Sequence, residues 1–167
     1  MSNVDLYYGG VTSDVLVRTL DDDIQVRELL GKKFAIFEQY NYKTHTYDFI
    51  ESTNKGFIQC GIGNIFEITL EDGKSIKCCE NAQFFTRATT FNDKELTLCK
   101  SISNSLSIGD EVLIISRLGS MSHTEFVNNK KEYSRIISIV KLGVEPIYGC
   151  KIPKKKFYFG NGIAIHD

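Results

Sequence analysis

Residues 147–167 read IYGCKIPKKKFYFGNGIAIHD, and their second half decides the fold class. Asn161-Gly162 separates the aromatic run Lys156-Phe157-Tyr158-Phe159 from the apolar run Ile163-Ala164-Ile165-His166. Asn-Gly suits a two-residue turn whose central residues both take positive φ, so the runs are predicted to pair as an antiparallel hairpin. The same signal recurs upstream, where Glu71-Asp72-Gly73-Lys74 lies between 65–70 (IFEITL) and 75–78 (SIKC), and both Asp72 and Gly73 are expected at positive φ. Short alternating or β-branched runs at 15–18, 33–38, 65–70, 75–79, 95–99, 111–116 and 134–142 extend the pattern along the chain. That spacing predicts an all-β fold. Only 22–30 has a helical pattern, with Ile24, Val26, Leu29 and Leu30 apolar and Gly31 as a stop, so one short helix is expected there. Residues 119–131 (GSMSHTEFVNNKK) are polar and aperiodic and read as a solvent loop.

With 167 residues, 42% of them hydrophobic, the chain is expected to form one domain around one core. Its 20 Lys and Arg against 21 Asp and Glu leave a formal charge of -1, so no global field draws it to nucleic acid or to an anionic membrane. No apolar run approaches the roughly 20 residues of a spanning helix, and the start MSNVDLYYGG lacks the basic and apolar regions of a signal peptide. A cytoplasmic location is expected. The cysteines, Cys60, Cys78, Cys79, Cys99 and Cys150, are odd in number and lack paired zinc spacings, so they are read as thiols, with no metal and no cofactor. The basic run Lys154-Lys155-Lys156 reads as a solvated turn.

Four stretches, in order and spaced from Gly10 to Asp167 along nearly the whole chain, resemble the motifs of inteins, the self-excising protein-splicing domains of the Hint class. Residues 10–17 (GVTSDVLV) resemble the N-terminal splicing motif, which starts with Cys or Ser and runs into Asp-Thr-x-Val. Residues 72–86 (DGKSIKCCENAQFFT) resemble the motif that carries Thr-x-x-His before an aromatic pair. Residues 106–112 (LSIGDEV) resemble a Leu-x-x-Gly-Asp-x-Val strand entry, and 147–167 resembles the C-terminal motifs that end His-Asn. The resemblance implies a Hint-type horseshoe of antiparallel strands with one or two short helices. It implies a mini-intein, whose 119–131 loop marks the place where larger inteins carry a homing endonuclease, or where the chain is divided into two complementing fragments. Residues 4–9 (VDLYYG) resemble the strand before the metal-binding motif of family-B DNA polymerases, which implies that 1–9 is host flank and that the partners are flanking segments in cis.

In this family the first residue attacks the preceding carbonyl through a thiol or hydroxyl, a Thr and a His of the second motif assist, and the terminal Asn cyclises with help from the penultimate His. Here Gly10 stands at the nucleophile position, and Gly9 before it is no better. Cys79 stands where Thr is usual and Ala82 where His is usual, while His166 is kept and Asp167 replaces Asn. Gly149 falls where Asp is common and Lys155 near a common His. The implied activity is single-turnover autocatalytic splicing in the parent, disabled in this chain. Deliberate disabling to trap an unspliced form and natural divergence both account for the pattern. A variant class with an internal Cys nucleophile also needs a supporting Trp; the chain has no Trp, and Cys150 is read as a packed thiol. Two other functions are weighed: an autoprocessing Hint relative that cleaves without ligating, and a non-catalytic β-rich module binding single-stranded nucleic acid through 154–156 and Tyr158.

Overall fold

The computed structural model describes residues 10–41, 43–44, 46–89, 95–115, 132–153 and 156–167. Strands β1 (Leu16–Arg18), β2 (Asp23–Gln25), β3 (Ala35–Asn41), β4 (Thr46–Glu51), β5 (Ile58–Leu70), β6 (Ser75–Cys79), β7 (Phe84–Thr89), β8 (Glu95–Lys100), β9 (Glu111–Ile114), β10 (Glu132–Gly149), β11 (Phe157–Gly160) and β12 (Ile163–His166) follow one another along the chain. A curled antiparallel sheet runs in the order β2-β1-β11-β12-β7-β9-β10-β5-β6, with β8 on β7, and β3 and β4 form a separate hairpin. The all-β horseshoe is what the sequence implied. Among the described residues no helix is long and apolar enough to cross a membrane.

The hairpin read from Asn161-Gly162 is present, with φ of 50° and 81° at the two turn residues and Tyr158 paired with Ile165. β12 is buried along Ile163, Ala164 and Ile165 because it has neighbours on both edges and packing on both faces. A strand so placed reads as an unbroken apolar run rather than an alternating one. Asn161 does more than turn the chain: its Oδ1 accepts from the Leu16 N–H at 2.8 Å and its Nδ2 donates to the Ser75 carbonyl at 2.9 Å. The tip therefore ties β1 to the start of β6. Replacing Asn161 with Ala removes both bonds and puts a Cβ-bearing residue with no local polar support at positive φ, an expected loss of about 2–4 kcal/mol. Urea denaturation should find Asn161→Gly less costly, since it keeps the turn and loses only the bonds; equal losses would show that the backbone conformation contributes nothing.

Two local expectations are corrected. At the Asp72-Gly73 turn only Gly73 is left-handed, at φ 96°, and Asp72 is not. The Leu70 N–H donates to the Lys74 carbonyl and the Gly73 N–H to the Leu70 carbonyl, so the turn spans 71–73 with glycine at its single left-handed position. Asp72 instead uses its carboxylate on Lys74, through an Nζ–Oδ2 pair at 2.6 Å. Burial opposes ionisation there, but the bonds from Lys74 and Ser134 together hold the Asp72 carboxyl below its usual range. The expected helix at 22–30 shrinks to one 3-10 turn, Val26–Glu28, because Asp23–Gln25 is drawn into pairing with β1.

β5 and β10 form a long ribbon whose register slips three times, last between Ile147 and Tyr148, opposite Cys60. Beside that slip, residues 10–12 enter the sheet. Val11 bridges Tyr148 on one side and Cys78 on the other, closing β10, β5, β6 and the chain's first described residues into a ring. Val11 is fully buried in the main core with Cys78, Phe57 and Ile76. Burying such a β-branched side chain contributes about 1.5–3 kcal/mol, which anchors the segment beside the candidate junction.

Candidate functional site

Gly10 is held by its own main chain. Its N–H donates to the Cys79 thiol sulfur at 3.1 Å, and its carbonyl accepts from the Cys79 N–H at 2.9 Å. Val11 and Tyr148 exchange two bonds of 2.9 Å, and the Thr12 N–H donates to the Lys77 carbonyl. Cys79 therefore sits at the amide nitrogen of the peptide before Gly10, where the resemblance expects a supporting side chain. As the last residue of β6 it is followed by a tight turn, in which the Ala82 N–H donates to the Cys79 carbonyl at 3.2 Å. Ala82 is buried and carries only a methyl group. Nothing at this position can accept or donate a proton.

The other end of the chain reaches the same place from β12. The His166 N–H donates to the carbonyl of Gln83, next to Ala82, at 3.0 Å, and the imidazole stacks on Phe85 with centroids 5.9 Å apart. His166 Nδ1 lies 3.1 Å from the Asp167 carbonyl oxygen and 3.4 Å from its Oδ1. Asp167 is buried: its N–H donates to the Lys156 carbonyl, and its Oδ2 accepts from the Ile152 N–H at 2.7 Å. A continuous series of contacts thus runs Gly10, Cys79, Ala82, Gln83, His166, Asp167, Ile152. The residues singled out in the sequence lie along it. Gln83 and Ile152 were missed there because each contributes a main-chain atom, which leaves no side-chain signature.

Ile147, within the stretch that resembles the C-terminal motifs, has a contact that its place in the motif does not signal. A Cβ on Gly10 would lie 1.8 Å from Ile147 Cγ2 and 3.0 Å from the Tyr148 carbonyl oxygen. Cys150, by contrast, is the packed thiol expected: burial pushes it well above the usual thiol range, and the Asp167 charge adds to that. Tyr158 is buried too, edge-on to Phe57 at 5.4 Å, so its ring is not available to stack on a nucleic-acid base. Lys154, Lys155 and 119–131 lie outside the described residues. Among the described residues no three His, Cys, Asp or Glu side chains converge to hold a metal ion.

Neither a protein-family profile nor a curated protein matches this sequence. Solved structures do match its shape. The Ssp DnaB mini-intein variant M86 superposes with a TM-score of 0.70 over 96% of this chain and 94% of its own, at 20% identity. The DnaB intein from Synechocystis sp. PCC 6803 gives 0.69 over 95% and 97%, at 18% identity, and the TvoVMA intein 0.66 over 96% and 98%, at 15%. The chain has the intein fold. Near-complete coverage of both chains means that the likeness extends over nearly the whole chain. At these identities the likeness is one of fold, and the chemistry rests on the residues themselves.

The thiols of this intein fold differ in access, which can be measured. Cys60 and Cys99 are exposed, whereas Cys78, Cys79 and Cys150 are buried. The thiolate is the reactive form. Burial raises the Cys60 thiol, only partly offset by a bond from the Gly149 N–H, and burial raises Cys99. Their thiolate fraction near neutral pH is therefore lower than that of a free thiol, and labelling rates should keep climbing as the pH passes the ordinary value of 9.0. Maleimide labelling followed by intact mass should give adducts at Cys60 and Cys99 in the folded protein and at Cys78 and Cys150 only in denaturant. Labelling of Cys150 at the rate of Cys99 under native conditions would contradict the described packing.

Proposed function

We propose that this chain is a protein-splicing domain that has lost the first half of its reaction and keeps the seat for the second. The observation that carries the reading is the linked series from Gly10 through Cys79, Ala82 and Gln83 to His166 and Asp167, which holds both candidate junctions on one site of an intein fold. Acyl transfer at the first junction needs a thiol or hydroxyl on residue 10 and a proton donor at residue 82, and Gly10 and Ala82 supply neither. At the second junction the imidazole is in place and only the nucleophile is altered. Asn would attack its own carbonyl carbon with its amide nitrogen and close a succinimide as the following peptide bond breaks; the Asp167 carboxylate has only the slower anhydride route.

In this reading residues 1–9 are host flank, with a family-B DNA polymerase as host, and the partners are the flanks themselves or, if the chain is divided within 119–131, a complementing fragment. No cofactor and no nucleic-acid partner is invoked, and the location is the host's, the cytoplasm. The contrast between the two ends also favours a second outcome, cleavage at the C-terminal junction without ligation, because that step needs no product of the first. The test is a chain carrying Asp167→Asn followed by a flank that begins with Cys, monitored by intact mass. Release of the flank supports the reading, and a folded chain that stays whole counts against it.

A further inference from the structure

We infer that Ile147 closes the candidate N-terminal junction to any side chain at residue 10, so that Gly10 is part of the packing and not a gap left in a site shaped for a nucleophile. The inference rests on reading Gly10 as the junction residue. What Gly10 supplies is space: a Cβ there would lie 1.8 Å from Ile147 Cγ2 and 3.2 Å from Ile147 Cβ. Non-bonded carbon atoms do not approach to the first of these distances, and the second is tight, so either the side chain or a backbone must move. Neither moves without cost, although Ile147 is only partly buried. Cγ2 is fixed to the branched Cβ and moves only by rotation about χ1, which is stiff in isoleucine. That rotation would also move the Cγ1–Cδ1 branch, whose Cδ1 occupies the volume over Gly63, 2.9 Å from where a Cβ on that glycine would lie.

Each branch of Ile147 thus fills the place of a missing side chain, one at Gly10 and the other at Gly63. The backbones on either side are tied. Tyr148 exchanges two bonds with Val11, Gly10 is bonded through both its N–H and its carbonyl to Cys79, and Ile147 itself is paired with Gly61. A nucleophile placed at residue 10 meets the same obstacle at its first carbon, before its sulfur or oxygen has been positioned at all. The first step is therefore blocked twice over, by chemistry and by volume. Restoring a thiol alone does not restore the reaction; residue 147 has to shrink with it.

The test is a double-mutant cycle on the full chain: Gly10→Ala, Ile147→Ala and the two together, read by thermal midpoint. Gly10→Ala alone should lower the midpoint by about 5–10 °C, as an overpacked core position does in a chain of this size, and in the Ile147→Ala background the same change should cost less than about 2 °C. If Gly10→Ala fails to fold, recovery of a cooperative transition in the double variant supports the inference, and its absence while Ile147→Ala itself folds overturns it. Equal shifts in both backgrounds overturn it as well. A chemical arm separates this inference from the splicing reading. Gly10→Cys with Ala82→His, with and without Ile147→Ala, is treated with dithiothreitol and followed by loss of residues 1–9 from the intact mass. Cleavage only in the chain with Ile147→Ala supports the inference, and cleavage without it overturns the inference. Coupling in the thermal cycle with no cleavage in either chain leaves the packing result standing and tells against the splicing reading alone.

Discussion

A chain with Asp167→Asn and a flank after residue 167 is expected to release that flank, whereas the chain with Asp167 retains it over the same incubation. In the splicing reading Asp167 occupies the place of that amide. Asp167 Oδ2 accepts from the Ile152 N–H at 2.7 Å while Oδ1 lies 3.4 Å from His166 Nδ1. Asparagine is isosteric with aspartate, so its single oxygen takes the Ile152 bond and its nitrogen takes the Oδ1 position, on the side of His166 and of the residue's own carbonyl. That carbonyl oxygen lies 3.1 Å from the same imidazole nitrogen. A group so placed can hydrogen-bond the carbonyl as it is attacked, an assistance of about 10²–10⁴-fold when it acts as a general acid or base. His166→Ala in the Asp167→Asn background should slow flank release by about 10²-fold or more. The succinimide left on the released domain is lighter than the hydrolysed Asn end by one water, about 18 Da, because the side-chain nitrogen is kept in the ring and the flank's amine is the leaving group, so mass alone distinguishes cyclisation from proteolysis. Flank release unchanged by His166→Ala would remove the imidazole from the mechanism.

The largest loss of stability is expected at Phe57. It is fully buried, stacked on Phe34 at 5.5 Å and edge-on to Tyr158 at 5.4 Å. Its N–H donates to the Leu29 carbonyl, and its own carbonyl accepts from the Gly31 N–H. Phe57 therefore joins, by its main chain, the turn at 26–31 and, by its ring, Phe34 before β3 and Tyr158 on β11. Phe57→Ala should cost about 3–5 kcal/mol, since the cavity adds to the lost transfer free energy. Against a total stability of 5–15 kcal/mol for a typical domain, that lowers the midpoint by about 6–20 °C. Phe57→Leu should cost less than about 1.5 kcal/mol. Chemical denaturation of the three proteins checks the ordering, and a loss under about 1 kcal/mol for Phe57→Ala would mean that the cluster repacks without it.

Strands whose ends are marked by a glycine turn were legible in the sequence, as at 75–79, which alternates after Asp72-Gly73, and at 163–166, where the apolar run after Asn161-Gly162 is continuous. The first half of β5 and the second half of β10 were not. There Ile62 is 68% exposed and Val144 65%, glycines stand at 61, 63 and 143, and Pro146 interrupts the run, so neither period nor composition signals a strand. These residues pair because the ribbon continues from a buried, well-paired half. β7 was visible only as Phe84-Phe85, since Thr86 and Arg87 break its apolar alternation while its pairing with β8 fixes it. At the candidate site the side chains Cys79, His166 and Asp167 could be read from motif order. Ile147 could not: its contribution is the volume of a methyl group pressed on a glycine 137 positions away in the sequence (147 minus 10).

The strand order bears on what becomes of the chain when it is made in two pieces. β11 and β12 lie between β1 and β7, and β10 lies between β9 and β5, so every strand that follows residue 131 is inserted among strands that precede residue 116. A piece ending before β10 would be left with open edges on β1, β7, β9 and β5. Residues such as Val17, Phe84, Val112 and Ile68, all buried in the whole protein, stand on those strands. Open edges with apolar faces are templates for self-association. The yield of any form assembled from two chains is then governed by a race between capture of the second piece and aggregation of the first, and lower temperature and prompt mixing favour the productive branch.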